Sequence, residues 1–426
     1  MTSFIAANLT EKRLFRLSNR LILWVLVIIS GALFVSAQSV LPRFMTLVFL
    51  LVLVILYARF SLFTVAAILV FLPYVGMVSQ IVTNESYGVL ELSIIPNNEQ
   101  LLSYCLFIYL VSSLFWISQT LYIKDEQALL KLADFKTTLL GAQFSIVVAL
   151  LSAVVAFPSA PFTRGFISGE HAALLPGNAW NHLSIVGILF ALPKWRQSRL
   201  VRYGTYAVAV WFLCHFERVD IVGFFIGISI IIYQRSTSKR KFVYALRILA
   251  FVFIFVLLMA FIGEWRNNEN ITLSGLLHKL FIQNTACDVA YIFNLAAQYF
   301  NNGGLLHGST YISYPYGLIP LLDAPISTVS VLSKNNFYPG GEYYFCEPII
   351  NFGLLGVLIV TNLEFAVLRL IVSSKTIWRY YIYVFVLMTQ FRIIWYGRSY
   401  IETGLFIFVP IMYWITHRVL SSKKIK

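Results

Sequence analysis

The sequence predicts an all-α polytopic membrane protein, and its composition is the first reason. Of its 426 residues, 59% are hydrophobic and only 12% are charged, and the mean hydropathy is +0.79. A water-soluble domain of this size could not bury so much apolar surface. A helix of about 20 apolar residues crosses a hydrocarbon core and satisfies its own backbone hydrogen bonds there. Apolar runs near this length are therefore the candidate spans.

Twelve such runs follow one another along the chain, at 21–39, 44–58, 61–82, 100–122, 139–158, 179–193, 203–217, 219–234, 244–263, 346–368, 377–397 and 400–417. Lys and Arg concentrate in the short cytoplasmic loops of membrane proteins. With a cytoplasmic N-terminus, all but eight of the 32 Lys and Arg residues fall on that side; the eight are Arg43, Arg164, Arg218, Arg266, Lys279, Lys334, Arg392 and Arg398. This distribution predicts twelve spanning helices with both termini in the cytoplasm.

The candidate spans divide the chain into three parts. Residues 1–263 hold nine spans, residues 264–345 form one large outer loop, and residues 346–426 hold three spans and a basic tail. Within the loop, apolar residues recur with the spacing of one helix face, at Val289, Ile292, Phe293 and Ala296. They predict a helix over about 286–300. The pattern leaves open whether this helix lies on the membrane surface or covers a cavity.

Charge and motifs exclude several classes of function. The net charge of +14 comes from basic residues dispersed at helix ends, so nucleic-acid binding is not expected. The chain has no HExxH, CxxC, Walker, GxSxG or dinucleotide-binding motif, and its histidines lack metal-ligand spacing, so no metal or cofactor is predicted. Cys287 and Cys346 both fall on the outer side, where a disulfide and two free thiols are the alternatives.

Arginines on the outer side are the strongest candidates for chemistry. An Arg within a span costs about 2.5–3.5 kcal/mol, so it usually faces a partner, a cavity or a ligand. Several converging guanidinium groups would form a pyrophosphate clamp, because their forked donors match phosphate oxygens. Alternatively, Arg398 pairs with Glu402 and Arg218 with Asp220, and the others reach water. The four candidates are Arg164, Arg218, Arg392 and Arg398.

Glu347 and the loop tyrosines are further candidates. A positioned carboxylate can accept the proton of a sugar hydroxyl, and Glu347 stands before Pro348 at the start of a predicted helix. Its alternative role is to complement the positive end of the helix dipole. Tyrosines such as Tyr311 suit either the membrane interface or stacking against sugar rings, and the sequence does not separate these roles.

Two runs near the C-terminus, LLHGSTYISYPYGLIPLLDAP at 305–325 and GGEYYFCEPIINFGLLGVLI at 340–359, resemble a known family. They are similar to the C-terminal signature of bacterial oligosaccharide repeat-unit polymerases, the O-antigen polymerase (Wzy) family. The matching residues are Gly308, Thr310, Tyr311, Ile319, Pro320, Gly340, Gly341, Glu347, Asn351, Phe352, Gly353 and Gly356. Arg164 and Arg218 resemble the arginines of two earlier motifs, although Glu217 and Val219 flank Arg218 where the family commonly has Gly.

The resemblance implies a polytopic glycosyltransferase similar to the GT-C type, in the bacterial inner membrane. It would join polyprenyl-pyrophosphate-linked repeat units on the periplasmic face, within reach of the large outer loop. Glu347 would be catalytic, and substrate would be bound by Arg164, Arg218, Arg392, Arg398 and Tyr311. No metal or cofactor is implied. The partners would be a lipid-linked glycan donor and acceptor, membrane lipid and a chain-length regulator.

Three other functions remain open at the level of the sequence. An O-antigen ligase-like transferase would use the same donor with a different acceptor. A flippase or transporter of lipid-linked oligosaccharides would place charged residues along a path to both faces of the membrane. A non-catalytic assembly partner would tolerate replacement of the outer arginines.

Overall fold

The computed structural model describes most of the chain but not all of it. The described residues are 20–84, 96–119, 122–131, 137–158, 177–215, 218–236, 284–318, 325–373 and 376–420, with scattered positions between 240 and 272. Arg164 and nearly half of the predicted span 244–263 lie outside these residues. The side chain of Arg218 also lies outside them, although its backbone begins a helix.

The described part of the chain is all-α. Its helices are α1 Arg20–Ser36, α2 Val40–Ala58, α3 Leu62–Thr83, α4 Pro96–Gln119, α5 Tyr122–Lys131, α6 Leu139–Ala156, α7 Gly177–Ala191, α8 Arg199–Cys214, α9 Arg218–Arg235, α10 Asn284–Asn301, α11 Ser309–Ile312, α12 Tyr314–Gly317, α13 Thr328–Leu332, α14 Cys346–Ser373, α15 Ile377–Tyr396 and α16 Gly404–Val419. A helical turn over Arg398–Ile401 joins α15 to α16. Among these residues the β-structure is one isolated bridge between Glu342 and Tyr396.

The helices support the prediction of a membrane protein. Within the described ranges, five helices are long and apolar enough to cross a membrane: α2, α3, α4 from Asn98, α6 and α14. Shorter apolar helices occur at α1 and α16. Eleven of the predicted spans overlap these helices, and the described positions of the twelfth, 244–263, are also helical. The number of spans and their orientation stay predictions.

Glycines let α9 and α15 approach closely. A Cβ atom on Gly223 would lie 2.0 Å from the carbonyl oxygen of Met388, and one on Gly227 would lie 2.7 Å from the Met388 side chain. Small residues four positions apart allow such close packing between helices in a membrane. This packing fixes α15, and with it the chain end that leads to Arg398.

The loop helix α10 confirms the helix predicted over about 286–300, but it is more buried than one apolar face requires. It packs against α3, α4 and α14, and Cys287, Phe293 and Asn294 are all almost completely buried. The Asn98 amide donates to the Asn294 side chain, and the Asn301 amide donates to Asn98 Oδ1 at 2.9 Å. The helix is therefore packed within the bundle and does not lie on the membrane surface.

Two further sequence expectations are resolved near α14. All four cysteines are free, so Cys287 and Cys346 are two free thiols and do not form a disulfide. The predicted span 346–368 is interrupted at Gly353, whose φ of 62° and ψ of −150° are not helical. A positive φ favours glycine, and a Cβ there would lie 2.9 Å from the Phe300 ring. The first two turns of α14 are thus set off from the rest of the helix.

Candidate functional site

A cavity of about 640 Å³ lies between α14, α15 and α16 and is bordered by the loop segment 311–318. Its lining comprises Leu62, Phe63, Ala66, Tyr109, Tyr311, Tyr314, Pro315, Leu318, Tyr344, Leu363, Glu364, Phe365, Val367, Leu368, Ile371, Ile382, Val386, Gln390, Ile393, Ile394, Arg398, Ile401, Glu402, Leu405 and Phe406. Most of these side chains are apolar. The polar ones are four tyrosines, two glutamates, one glutamine and Arg398. This composition suits an amphipathic ligand with a long apolar part.

Arg398 is the cationic group of the cavity. It follows Gly397, whose φ is 92°, at the turn where α15 ends. Its Nε donates to the carboxylate of Glu364, and its Nη1 donates to the Tyr344 carbonyl at 3.1 Å. Its Cζ lies 4.3 Å from the centroid of the Tyr344 ring. These contacts hold the guanidinium group in one orientation at the cavity wall.

Glu347 lies behind this wall and is not among the lining residues. Thr310 donates to its Oε1 at 2.8 Å, and Tyr314 donates to its Oε2. Arg398 Nη1 lies 3.8 Å from the same Oε2. The Asn351 side chain donates to Thr310 Oγ1 and to the Glu347 carbonyl, both at 2.8 Å. Glu347 therefore contacts both Tyr314 and Arg398 and fixes the position of this tyrosine relative to the arginine.

Tyr314 and Tyr311 present phenol groups to the cavity from the loop. Burial, followed by the nearby charge of Glu347, raises the pKa of Tyr314, so its hydroxyl stays protonated and donates to that carboxylate. Burial likewise raises the pKa of Tyr311. The Tyr311 ring lies 5.7 Å from the Tyr314 ring and stacks parallel to Phe352 at 6.3 Å. The loop thereby places two neutral, oriented phenols beside Arg398.

Glu342 is a second buried acidic residue, close enough to Glu347 for the two charges to interact. Its backbone N–H donates to the Trp395 carbonyl at 2.9 Å, which ties the loop to the end of α15. A Cβ atom on Gly397 would lie 2.5 Å from Glu342 Oε2, so the glycine makes room for the carboxylate. Burial, and then the charge of Glu347, raises the pKa of Glu342 to about 8. The side chain is thus largely protonated at neutral pH.

Several polar atoms of the cavity residues are buried without a hydrogen-bond partner among the described residues. They are the Tyr311 hydroxyl, Arg398 Nη2 and both carboxylate oxygens of Glu402. A buried polar atom left unpaired costs about 1–3 kcal/mol. All three residues line the same cavity, so a ligand there could supply the missing partners.

The predicted site residues are only partly brought together. Arg398 and Tyr311 line the cavity, and Glu347 adjoins it. Arg392 is not among the lining residues: its Nε and Nη2 donate to Asp220 at 2.9 and 3.0 Å in a buried, bidentate pair. The predicted clamp of four arginines therefore has one arginine in the described cavity wall. Arg398 pairs with Glu364 and Glu347 instead of with Glu402.

Glu364 and Glu402 are site residues whose importance the sequence reading missed. Glu364 lies inside the apolar run 346–368, and helix spacing suggests Glu402 only as a partner of Arg398. A charged residue inside an apolar span is itself a signal, because it is costly unless it has a partner or a ligand. Applied to Glu364, this rule would have found it.

Among the described residues, no group of three His, Cys, Asp or Glu side chains is placed to hold a metal ion. No protein-family model, curated protein or solved structure matches the chain.

Proposed function

We propose that this chain is a membrane glycosyltransferase that polymerises polyprenyl-pyrophosphate-linked repeat units into a surface polysaccharide, as its resemblance to repeat-unit polymerases implies. The observation that carries the proposal is the amphipathic cavity: an apolar lining between α14, α15 and α16, with Arg398 and two tyrosines at its polar part. A lipid-linked pyrophosphate has the same division into an apolar chain and a polar head. The GT-C-like, twelve-span arrangement in the inner membrane is part of this proposal.

Arg398 is the residue best suited to the donor pyrophosphate. Its Nη2 has no partner among the described residues, and the guanidinium group is already oriented by Glu364 and Tyr344. Preorganised donors stabilise the charge that develops on a leaving group. Arg164 and Arg218 remain proposed contributors to the same head-group site. Arg392 would act indirectly, by holding α15 in place, because its Nε and Nη2 already donate to Asp220.

Glu347 is proposed to position the reacting groups. Both of its carboxylate oxygens accept hydroxyl hydrogen bonds, from Thr310 and Tyr314, so it orients the loop relative to Arg398. The residues that face the ligand are Tyr311, Tyr314 and Arg398. In the transfer, the bond between the anomeric carbon and the pyrophosphate oxygen breaks, an acceptor hydroxyl forms the new glycosidic bond, and its proton is released to a base.

The proposal is tested with purified protein in lipid nanodiscs, supplied with a panel of lipid-pyrophosphate-linked repeat units. We expect one matched substrate to yield a ladder of glycans that grows by one repeat unit per step. Transfer only to a lipid A core acceptor would instead indicate the ligase. Movement of lipid-linked glycan across proteoliposomes without covalent products would indicate the transporter. Either outcome, or no product with any member of the panel, would overturn the polymerase proposal.

A further inference from the structure

The carboxyl group of Glu402 is a buried group that no contact within the described protein explains. The residue is 5% exposed, it lines the cavity, and neither of its oxygens has a hydrogen-bond partner. It stands just after the turn Arg398–Ile401 that presents Arg398, so the same break between α15 and α16 delivers both groups to the cavity. A buried carboxyl group without partners is destabilising whether it is ionised or protonated.

The unpartnered atoms of the cavity differ in hydrogen-bond character. Tyr311 Oη and Arg398 Nη2 offer donors, whereas the Glu402 oxygens require donors. A phosphate alone would satisfy the first two groups, but its ionised oxygens only accept hydrogen bonds and would leave at least one Glu402 oxygen without a donor. A metal ion would satisfy Glu402 and leave the two donors unpaired, and the described residues offer no cluster of metal ligands.

A sugar meets both requirements, because each hydroxyl group can donate one hydrogen bond and accept others. The aromatic residues of the lining add faces on which a sugar ring can pack: Tyr109, Tyr311, Tyr314 and Tyr344. Apolar side chains such as Leu405 and Phe406 continue the lining beside Glu402, where an attached lipid chain would lie.

We propose that Glu402 binds hydroxyl groups of the sugar nearest the lipid pyrophosphate, with Tyr311 completing this sugar subsite beside Arg398. The inference rests on the proposed function, since it takes the ligand to be a glycosylated lipid. It assigns Glu402 to specificity: the residue distinguishes a lipid that carries sugar from the same lipid without it.

The test compares two lipids on the purified full-length protein by native mass spectrometry. One probe is polyprenyl pyrophosphate, and the other is the same lipid carrying glucose, galactose or N-acetylglucosamine. We expect the wild type to bind at least one glycosylated lipid more tightly than the bare one. Glu402→Gln and Glu402→Leu should reduce this gain by about 10-fold to 100-fold and leave the binding of bare lipid unchanged.

A thermal melt separates this role from a structural one. Because Glu402 has no partner within the described protein, its replacement by Leu should leave Tm unchanged or raise it. A structural role would lower Tm in both variants. Phe406→Leu, which alters only the apolar lining, is the matched control and should weaken both lipids equally.

The outcomes keep the two proposals distinguishable. A wild type without any sugar-dependent gain, or a Glu402→Leu variant that keeps the whole gain, overturns the sugar subsite even if the wild type makes a glycan ladder. A gain that depends on Glu402 in a protein that makes no ladder supports the subsite and overturns the polymerase.

Discussion

Arg398 is held by groups that lie far from it in the sequence. Glu364 and Tyr344 accept its hydrogen bonds, and Glu347 lies 3.8 Å from its Nη1. The sequence predicted Arg398, Glu347 and Tyr311 as candidates because their residue types suit phosphate and sugar chemistry. It could not predict which carboxylate meets Arg398, since the nearest candidate by helix spacing was Glu402. The tight helical turn over Arg398–Ile401 changes that spacing, because it has three residues per turn, and residue periodicity does not reveal such a turn.

Glu342 provides a prediction of pH dependence. Its folded-state pKa is raised from 4.5 to about 8, so the folded protein binds more protons than the unfolded chain between these values. The stability from neutral Glu342 is fully present below pH 4.5 and is lost as the pH rises through about 8. The largest slope is about 1.4 kcal/mol per pH unit, or on the order of 2–4 °C in Tm.

The measurement is Tm of wild type and Glu342→Gln in the same detergent at pH 5.5, 7 and 8.5. The wild type should lose stability across this range, and the variant should lose less, because its amide does not ionise. Equal slopes in the two proteins would contradict the assignment of the pH dependence to Glu342.

At the scale of the elements, the buried pair of Arg392 and Asp220 joins α15 to α9. Its side chains are 8% and 0% exposed, and the Asn181 amide of α7 also donates to Asp220 at 3.3 Å. Removing one partner from a buried pair costs about 3–5 kcal/mol, because the other charge is left uncompensated. We therefore expect Asp220→Asn to lower the free energy of unfolding by about this amount.

The control is the double variant Asp220→Leu with Arg392→Leu, which removes both charges. It should be more stable than Asp220→Asn, because no buried charge remains unpaired. Thermal and denaturant unfolding in detergent give the comparison. If Asp220→Asn had the same free energy of unfolding as the wild type, the ion pair would not stabilise the packing of α15 against α9.

The elements also show what sequence patterns can and cannot supply. The spacing of Val289, Ile292, Phe293 and Ala296 correctly predicted α10, because a helix repeats its faces every 3.6 residues. The same spacing does not reveal that α10 is enclosed by α3, α4 and α14. Likewise, Asp220 and Arg392 are 172 positions apart in the sequence, so no local spacing rule predicts that they pair.

At the scale of the whole molecule, the distribution of Lys and Arg predicts which loops face the cytoplasm. Two exposed positions on opposite predicted sides make a matched pair: Ser333 in the outer loop and Gln197 in a basic cytoplasmic loop. Three of the native cysteines are buried and the fourth is partly buried, which limits background labelling.

We expect a membrane-impermeant maleimide to label Ser333→Cys in intact cells. Gln197→Cys should be labelled only after the membrane is permeabilised. Labelling of both positions from the same side would contradict the predicted topology, and with it a large loop on the periplasmic face. Labelling of the purified protein with fluorescent maleimide gives the total amount of reactive cysteine in each variant.

The most direct test of the central claim, that the amphipathic cavity is a site of glycosyl transfer, is the ladder assay applied to Arg398 variants. Arg398→Met removes the cationic group, Arg398→Lys keeps the charge without the fork, and Lys334→Met removes an exposed positive charge outside the cavity. With folding verified by gel filtration and Tm, we expect Arg398→Met to lower the polymerisation rate at least about 100-fold, Arg398→Lys to lower it less, and Lys334→Met to match the wild type. A folded Arg398→Met protein that makes the wild-type ladder at the wild-type rate would contradict the account.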